Sequence, residues 1–80
     1  MQIAIIKHLA ETHNITTLRT AEDAILNEQP LAIIVEGKDE GEQLTHILAA
    51  IEILHDMEKH QLDFRTALRN YTQRVRNSIS

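Results

Sequence analysis

GEQLTHILAAIEILHDMEKH, residues 41–60, decides the fold. At about 100° per residue, Ile53, Met57, Ala50, Leu54, Ile47, Ile51, Leu44 and Leu48 fill an arc of roughly 220° around a helix. A helix packed on one side shows a stripe of only about 100° or a little more. Something must cover the remainder, and in a chain of 80 residues the expected cover is a second copy of the same chain. The expected homodimer seam is therefore Leu44, Ile47, Leu48, Ile51, Ile53, Leu54 and Met57, with His46 inside the same arc.

Outward from this helix, both glycines and four acids fall in EGKDEGE, residues 36–42. Asp39 reads as an N-cap with acids following at the positive end of the helix dipole, so the helix runs from about 40 to 60. Gln61 and Leu62 form a short turn, Asp63 caps the next helix, and Phe64, Ala67, Leu68, Tyr71 and Val75 give that helix, near 64–77, a narrow apolar stripe. So short a turn predicts an antiparallel helical hairpin.

The N-terminal half is less determined. Ile3–Ile6 is β-branched like a strand, but the longer pattern Ile3, Ile6, Leu9, Ala10 favours a helix near 3–13. Asn14 and Ile15–Thr17 read as a break. Thr20 reads as an N-cap with Asp23 at the third helical position, opening a short helix near 20–28 that Pro30 ends. LAIIV, residues 31–35, bounded by Pro30 and Gly37, is the best strand candidate in the chain. If Ile3–Ile6 were also a strand, the two could pair as a small βαβ unit. The fold class expected is mostly α: a small helical domain with a long central helix and a C-terminal helical hairpin, with room for one or two short strands near 3–6 and 31–35.

Eighty residues make a single domain, 1–80. A chain this small buries only about 60% of the surface its unfolded form exposes. With no cysteine, disulfides, thiolate nucleophiles and thiolate metal ligands are excluded. The N-terminal apolar run is too short for a signal peptide and no stretch reaches the ~18 apolar residues of a membrane span, so a soluble, cytoplasmic protein is expected. Net charge is −4, but it is divided: residues 1–62 hold four Lys/Arg against eleven Asp/Glu, whereas 63–80 hold four Arg against one Asp. Phe64 and Tyr71 are the only aromatics, which leaves no stacking platform for single-stranded nucleic acid.

Four constellations could carry chemistry. Glu52-x-x-His55 has the spacing of half a carboxylate-bridged di-metal site, which a dimer could complete with Glu22 as a further ligand; yet Glu52 lies outside the apolar arc. Asp56 and His60, one turn apart, could pinch a surface metal ion. His46 reads either as a buried histidine bonded to a carbonyl or as a pH-sensitive contact at the seam. Arg65, Arg69 and Arg76 share one side of the last helix. They form a solvated face, a partner for the acidic loop 36–42 of the same or a neighbouring chain, or an anion-binding surface. No nucleophile–base pair can be assembled, and serine occurs only at Ser78 and Ser80. No cofactor is expected.

IIKHL at 5–9, AAIEILHDM at 49–57 and ALRNYTQRVRNSIS at 67–80 together resemble a family of short bacterial proteins, a domain of unknown function. Its recurring patterns are an N-terminal I-K-H-L and a C-terminal A-L-x-x-[FY]-x-x-R-V-x-x-S-I. The resemblance implies two C-terminal helices and an accessory role beside a thiol redox system, with no catalytic residue to transfer. The function expected is that of a non-enzymatic homodimeric interaction or accessory protein. The alternatives are a helical metal-binding protein and a phosphate or nucleic-acid binder, the latter through the arginine-bearing helix.

Overall fold

A computed structural model describes residues 2–79. Four helices follow in order: α1 (Ile3–Thr12), α2 (Ile15–Leu26), α3 (Glu40–His60) and α4 (Phe64–Ile79). The described residues contain no strand, and none of the four helices is long and apolar enough to cross a membrane.

Packing settles the ambiguity of Ile3–Ile6 in favour of helix. Ile6, Leu9 and Ala10 are buried at i, i+3, i+4 spacing, which outweighs the local β preference of isoleucine. α2 begins five residues before the expected start at Thr20. Its N-cap is Asn14, whose Oδ1 accepts from the Thr17 N–H at 2.8 Å, and Ile15–Thr17 form its first turn instead of a break. Thr20 lies inside the helix, where its hydroxyl donates to the Thr16 carbonyl at 3.0 Å. Leu18 and Ala21 are buried from this helix. Burial of these two side chains, one helical turn apart, is worth more than the weak helix propensity of Ile-Thr-Thr.

α2 and α3 end in the same way without glycine. The Gln29 N–H bonds to the Ala24 carbonyl and the Glu28 N–H to the Ile25 carbonyl; the Leu62 N–H likewise reaches Met57. This is the six-to-one closure of a Schellman motif, and it places Glu28 (φ 56°) and Gln61 (φ 53°) in the left-handed region.

LAIIV does not form a strand. A strand needs a ladder partner, and the one other candidate, Ile3–Ile6, is helical. The chain bends at Ala32 and Ile33 and crosses the core surface as an irregular segment. The βαβ alternative fails with it.

α3 is the hub. α1, α2 and α4 all pack on it and make little contact with one another. Ile47, Ala49, Ala50 and Ile53 are fully buried and Ile51 is 6% exposed; the alanines allow close helix approach. Most of the over-wide apolar arc is therefore covered within one chain, by three helices and the 31–36 segment. His46, Ile47, Ile51 and Ile53 are core residues here, and they cannot also form a surface seam. Of the remaining seam candidates, Leu44, Leu54 and Met57 are half-buried and Leu48 is 39% exposed. The N-terminal half is large enough to wrap most of α3, so the width of the arc by itself does not require a second copy. α4 follows as the turn predicted, capped by Asp63 Oδ1 accepting from the Thr66 N–H at 2.9 Å, with Ala67 fully buried against α3.

Candidate functional site

The outer face of α4 carries the clearest concentration of unpaired charge. Arg65, Arg69 and Arg76 fall within an arc of roughly 40°, spread over about 16 Å of helix axis. They project away from Ala67 and Tyr71, which hold the helix to α3. All three are exposed, and with Leu68, Thr72 and Gln73 they line a shallow groove. Among the described residues none of the three has an ion pair, whereas Arg74, on the flank facing α3, has two: its guanidinium lies 3.3 Å from Glu52 Oε2 and 3.7 Å from Asp56 Oδ2. The helix thus divides its arginines into one that fastens the hairpin and three exposed ones without an ion pair, of which Arg65 also lends its charge to the Asp63 carboxyl.

That fastening accounts for much of the suspected metal chemistry. Glu52 is engaged with Arg74 across the hairpin. Asp56 is mostly buried, and its Oδ2 has no hydrogen bond; the nearby Arg74 charge compensates it electrostatically without bonding it. His60 Nε2 stands 3.7 Å from the other Asp56 oxygen, so the two side chains considered for a surface metal ion lie side by side. His55 is exposed, on the open strip of α3, and Glu22 is half-buried on α2. Among the described residues no three histidine, aspartate or glutamate side chains are gathered to hold a metal. Tyr71 borders the cluster; burial, reinforced by the Glu52 charge and opposed by Arg74, pushes its hydroxyl above the usual phenol range. Ser78 bonds back to the Arg74 carbonyl, while Ser80 lies outside the described residues.

His46 is fully buried and both ring nitrogens are bonded. Nε2 accepts from the Gln2 backbone N–H at 3.1 Å, and Nδ1 lies 2.9 Å from the Glu36 carbonyl. A carbonyl only accepts, so Nδ1 carries the proton and the ring is neutral. One side chain of α3 therefore ties down the start of α1 and the end of the 31–36 segment. Gln43 assists, its Nε2 donating to the Val35 carbonyl at 2.9 Å. Sequence reasoning read His46 either as a buried histidine bonded to a carbonyl or as a seam contact, and missed Gln43 and Glu36, because a side chain bonded to a distant backbone group leaves no residue-type pattern. It also missed Ile34, 86% exposed, beside a groove lined by Ile5, His8, Leu9 and Glu36. Ile34 lies in the segment whose composition reads as a strand.

A model of a family described as a family of unknown function, DUF6952, matches residues 1–80. No curated protein and no solved structure matches the chain.

Proposed function

We propose that this chain, which belongs to the DUF6952 family, works by binding and not by catalysis, docking an acidic protein surface through the arginine stripe of α4. The observation that carries the reading is the contrast within one helix between Arg74, held by Glu52 and Asp56, and Arg65, Arg69 and Arg76, exposed without an ion pair among the described residues. Guanidinium groups in a row match carboxylates with bidentate geometry. The stripe is short and the rest of the surface is acidic. A nucleic-acid duplex engages about 6–10 phosphates in a typical salt-dependent complex; three arginines on a chain of net charge −4 suit a short acidic segment better.

The test uses a fluorescent oligo-glutamate peptide and a labelled DNA duplex, titrated at low and moderate salt. Salt-sensitive binding of the peptide, weakened at least ~10-fold in Arg65→Ala/Arg69→Ala/Arg76→Ala with helix content unchanged, supports the reading. Tighter binding of the duplex would transfer it to nucleic acid, and binding of neither would refute it. Self-association is a second reading, favoured by the exposure of Ile34, at 86%, on a different surface.

A further inference from the structure

We infer that His46 is an acid-released latch: a proton on its Nε2 frees the first turn of α1 and leaves the 31–36 segment held. The ring is fully buried, and its two bonds respond to that proton in opposite ways. Nδ1–H donates to the Glu36 carbonyl at 2.9 Å, a bond that a charged ring keeps and strengthens. Nε2 accepts from the Gln2 backbone N–H at 3.1 Å. Once protonated, Nε2 has no lone pair left to accept with, and two N–H groups face each other. The Gln2 bond needs the neutral ring, so it is complete above histidine's titration range and is lost as pH falls through it.

The start of α1 is built to depend on this bond. Asn14, Asp39 and Asp63 cap α2, α3 and α4 with their side chains, whereas Gln2 makes no side-chain cap and the first turn of α1 has no acid. The Gln2 carbonyl accepts from the Ile5 and Ile6 N–H groups, each at 3.2 Å. The residue that opens the helical ladder is thus itself fixed by His46. The 31–36 segment has a second tie, from Gln43 Nε2 to the Val35 carbonyl, and stays seated. Gln2 is exposed overall, so water takes its N–H when the ring lets go. Two elements touch the ring, and their charged groups are few. Glu36 and Lys38 of the connecting segment line the hollow beside Gln2 together with Glu42 of α3. From α1, His8 lines the neighbouring hollow with Glu36; Lys7 is exposed, and no acid precedes Glu11. Glu42 accepts from the Lys38 N–H at 3.1 Å. The two carboxylates favour the charged ring once it forms, but an acceptor cannot restore the bond to Gln2.

Amide hydrogen exchange followed by NMR on the full chain, from about pH 7.5 to about 5.5 with intrinsic exchange rates divided out, tests this. One proton taken up on opening raises the opening constant about 10-fold over that interval. The Ile6 and Lys7 amides are expected to lose protection by that factor and to stay less protected than those of Ala49–Ile53. The ring nitrogen shifts of His46 are expected to pass from the neutral Nδ1–H tautomer to the charged ring over the same interval, with the Gln2 amide shift moving in step. His46→Gln, which offers Gln2 an acceptor that does not titrate, abolishes the response; His8→Gln and His13→Gln, on and beside α1, keep it. The ring shifts are read on the wild type, so the test holds even where His46→Gln does not fold. Protection of Ile6 and Lys7 that is flat with pH overturns the inference, as does a ring that charges while the Gln2 amide stays unmoved. A response that persists in His46→Gln, or that vanishes in His8→Gln or His13→Gln, assigns it to another group and overturns it. Ile6 and Lys7 exchanging at the same free energy as Ala49–Ile53 at the lower pH would mean whole-chain unfolding in place of a latch, and overturns it too.

Discussion

Replacing His46 by leucine removes both bonds of the buried ring while keeping most of its volume, so little cavity is left. Each bond contributes roughly 1 kcal/mol net, and a buried polar group left without its partner costs about 1–3 kcal/mol. The two orphaned groups are the Gln2 N–H and the Glu36 carbonyl. Both residues are exposed overall, so water partly compensates, and the expected cost is about 2–3 kcal/mol. A domain of this length has a total stability of only about 4–12 kcal/mol. The thermal midpoint should therefore fall by roughly 10–20 °C. Two further variants divide the effect. His46→Gln sets an acceptor near the position of Nε2 and keeps the bond to α1. His46→Asn sets a donor near that of Nδ1 and keeps the bond to Glu36. Urea unfolding should rank both between wild type and His46→Leu. A leucine variant within about 0.5 kcal/mol of wild type would show that the ring matters only as volume. Glutamine and asparagine variants as unstable as leucine would deny that the two bonds act separately.

Gln61→Gly should stabilise the protein by about 0.5–1 kcal/mol, read as a raised urea midpoint, because glycine relieves the left-handed cost at φ 53°. Gly37→Ala should destabilise it by about 1–3 kcal/mol, since a Cβ there would sit 2.9 Å from the Gln43 backbone nitrogen; an unchanged midpoint would show that the loop shifts freely. The side-chain and backbone hydrogen bonds from Thr66 hold the Asp63 carboxyl below its ordinary value of 3.8. A depressed folded value means that the stability it lends is complete above the unfolded value and is lost as pH falls through the folded one. Asp63→Asn, which keeps the acceptor without the charge, should therefore lose less stability than wild type between pH ~5 and ~2; parallel losses would refute the assignment.

The C-terminal half of the fold was legible because its signals are local. Asp39 and Asp63 are caps with their acceptors in place, and the apolar positions of α3 and α4 recur at helical spacing. The start of α2 was not legible. Ile-Thr-Thr is β-branched, and Leu18 and Ala21 hold it helical through contacts that no local window contains. LAIIV has the composition of a strand, but strand formation is a property of two segments, and the chain supplies one. The width of the α3 arc demanded cover on more than one side; which segment supplied it depended on the path of residues 14–39. The arginine stripe could be read from spacing alone. The pairing of Arg74 with Glu52 and Asp56 could not, because it depends on the relative rotation of two helices. Without it, Glu52 was available on paper for a metal.

Because α1, α2 and α4 lean on α3 and barely on one another, the domain resembles three leaves on one spine. Losing a leaf strips one side of α3 and leaves the other two attached, whereas losing α3 leaves nothing for any of them to hold. Amide protons should therefore exchange in tiers. Those of α1, α2 and α4 would escape through separate partial openings, each at its own free energy. Those at the centre of α3, around Ala49–Ile53, would escape only when the whole chain unfolds.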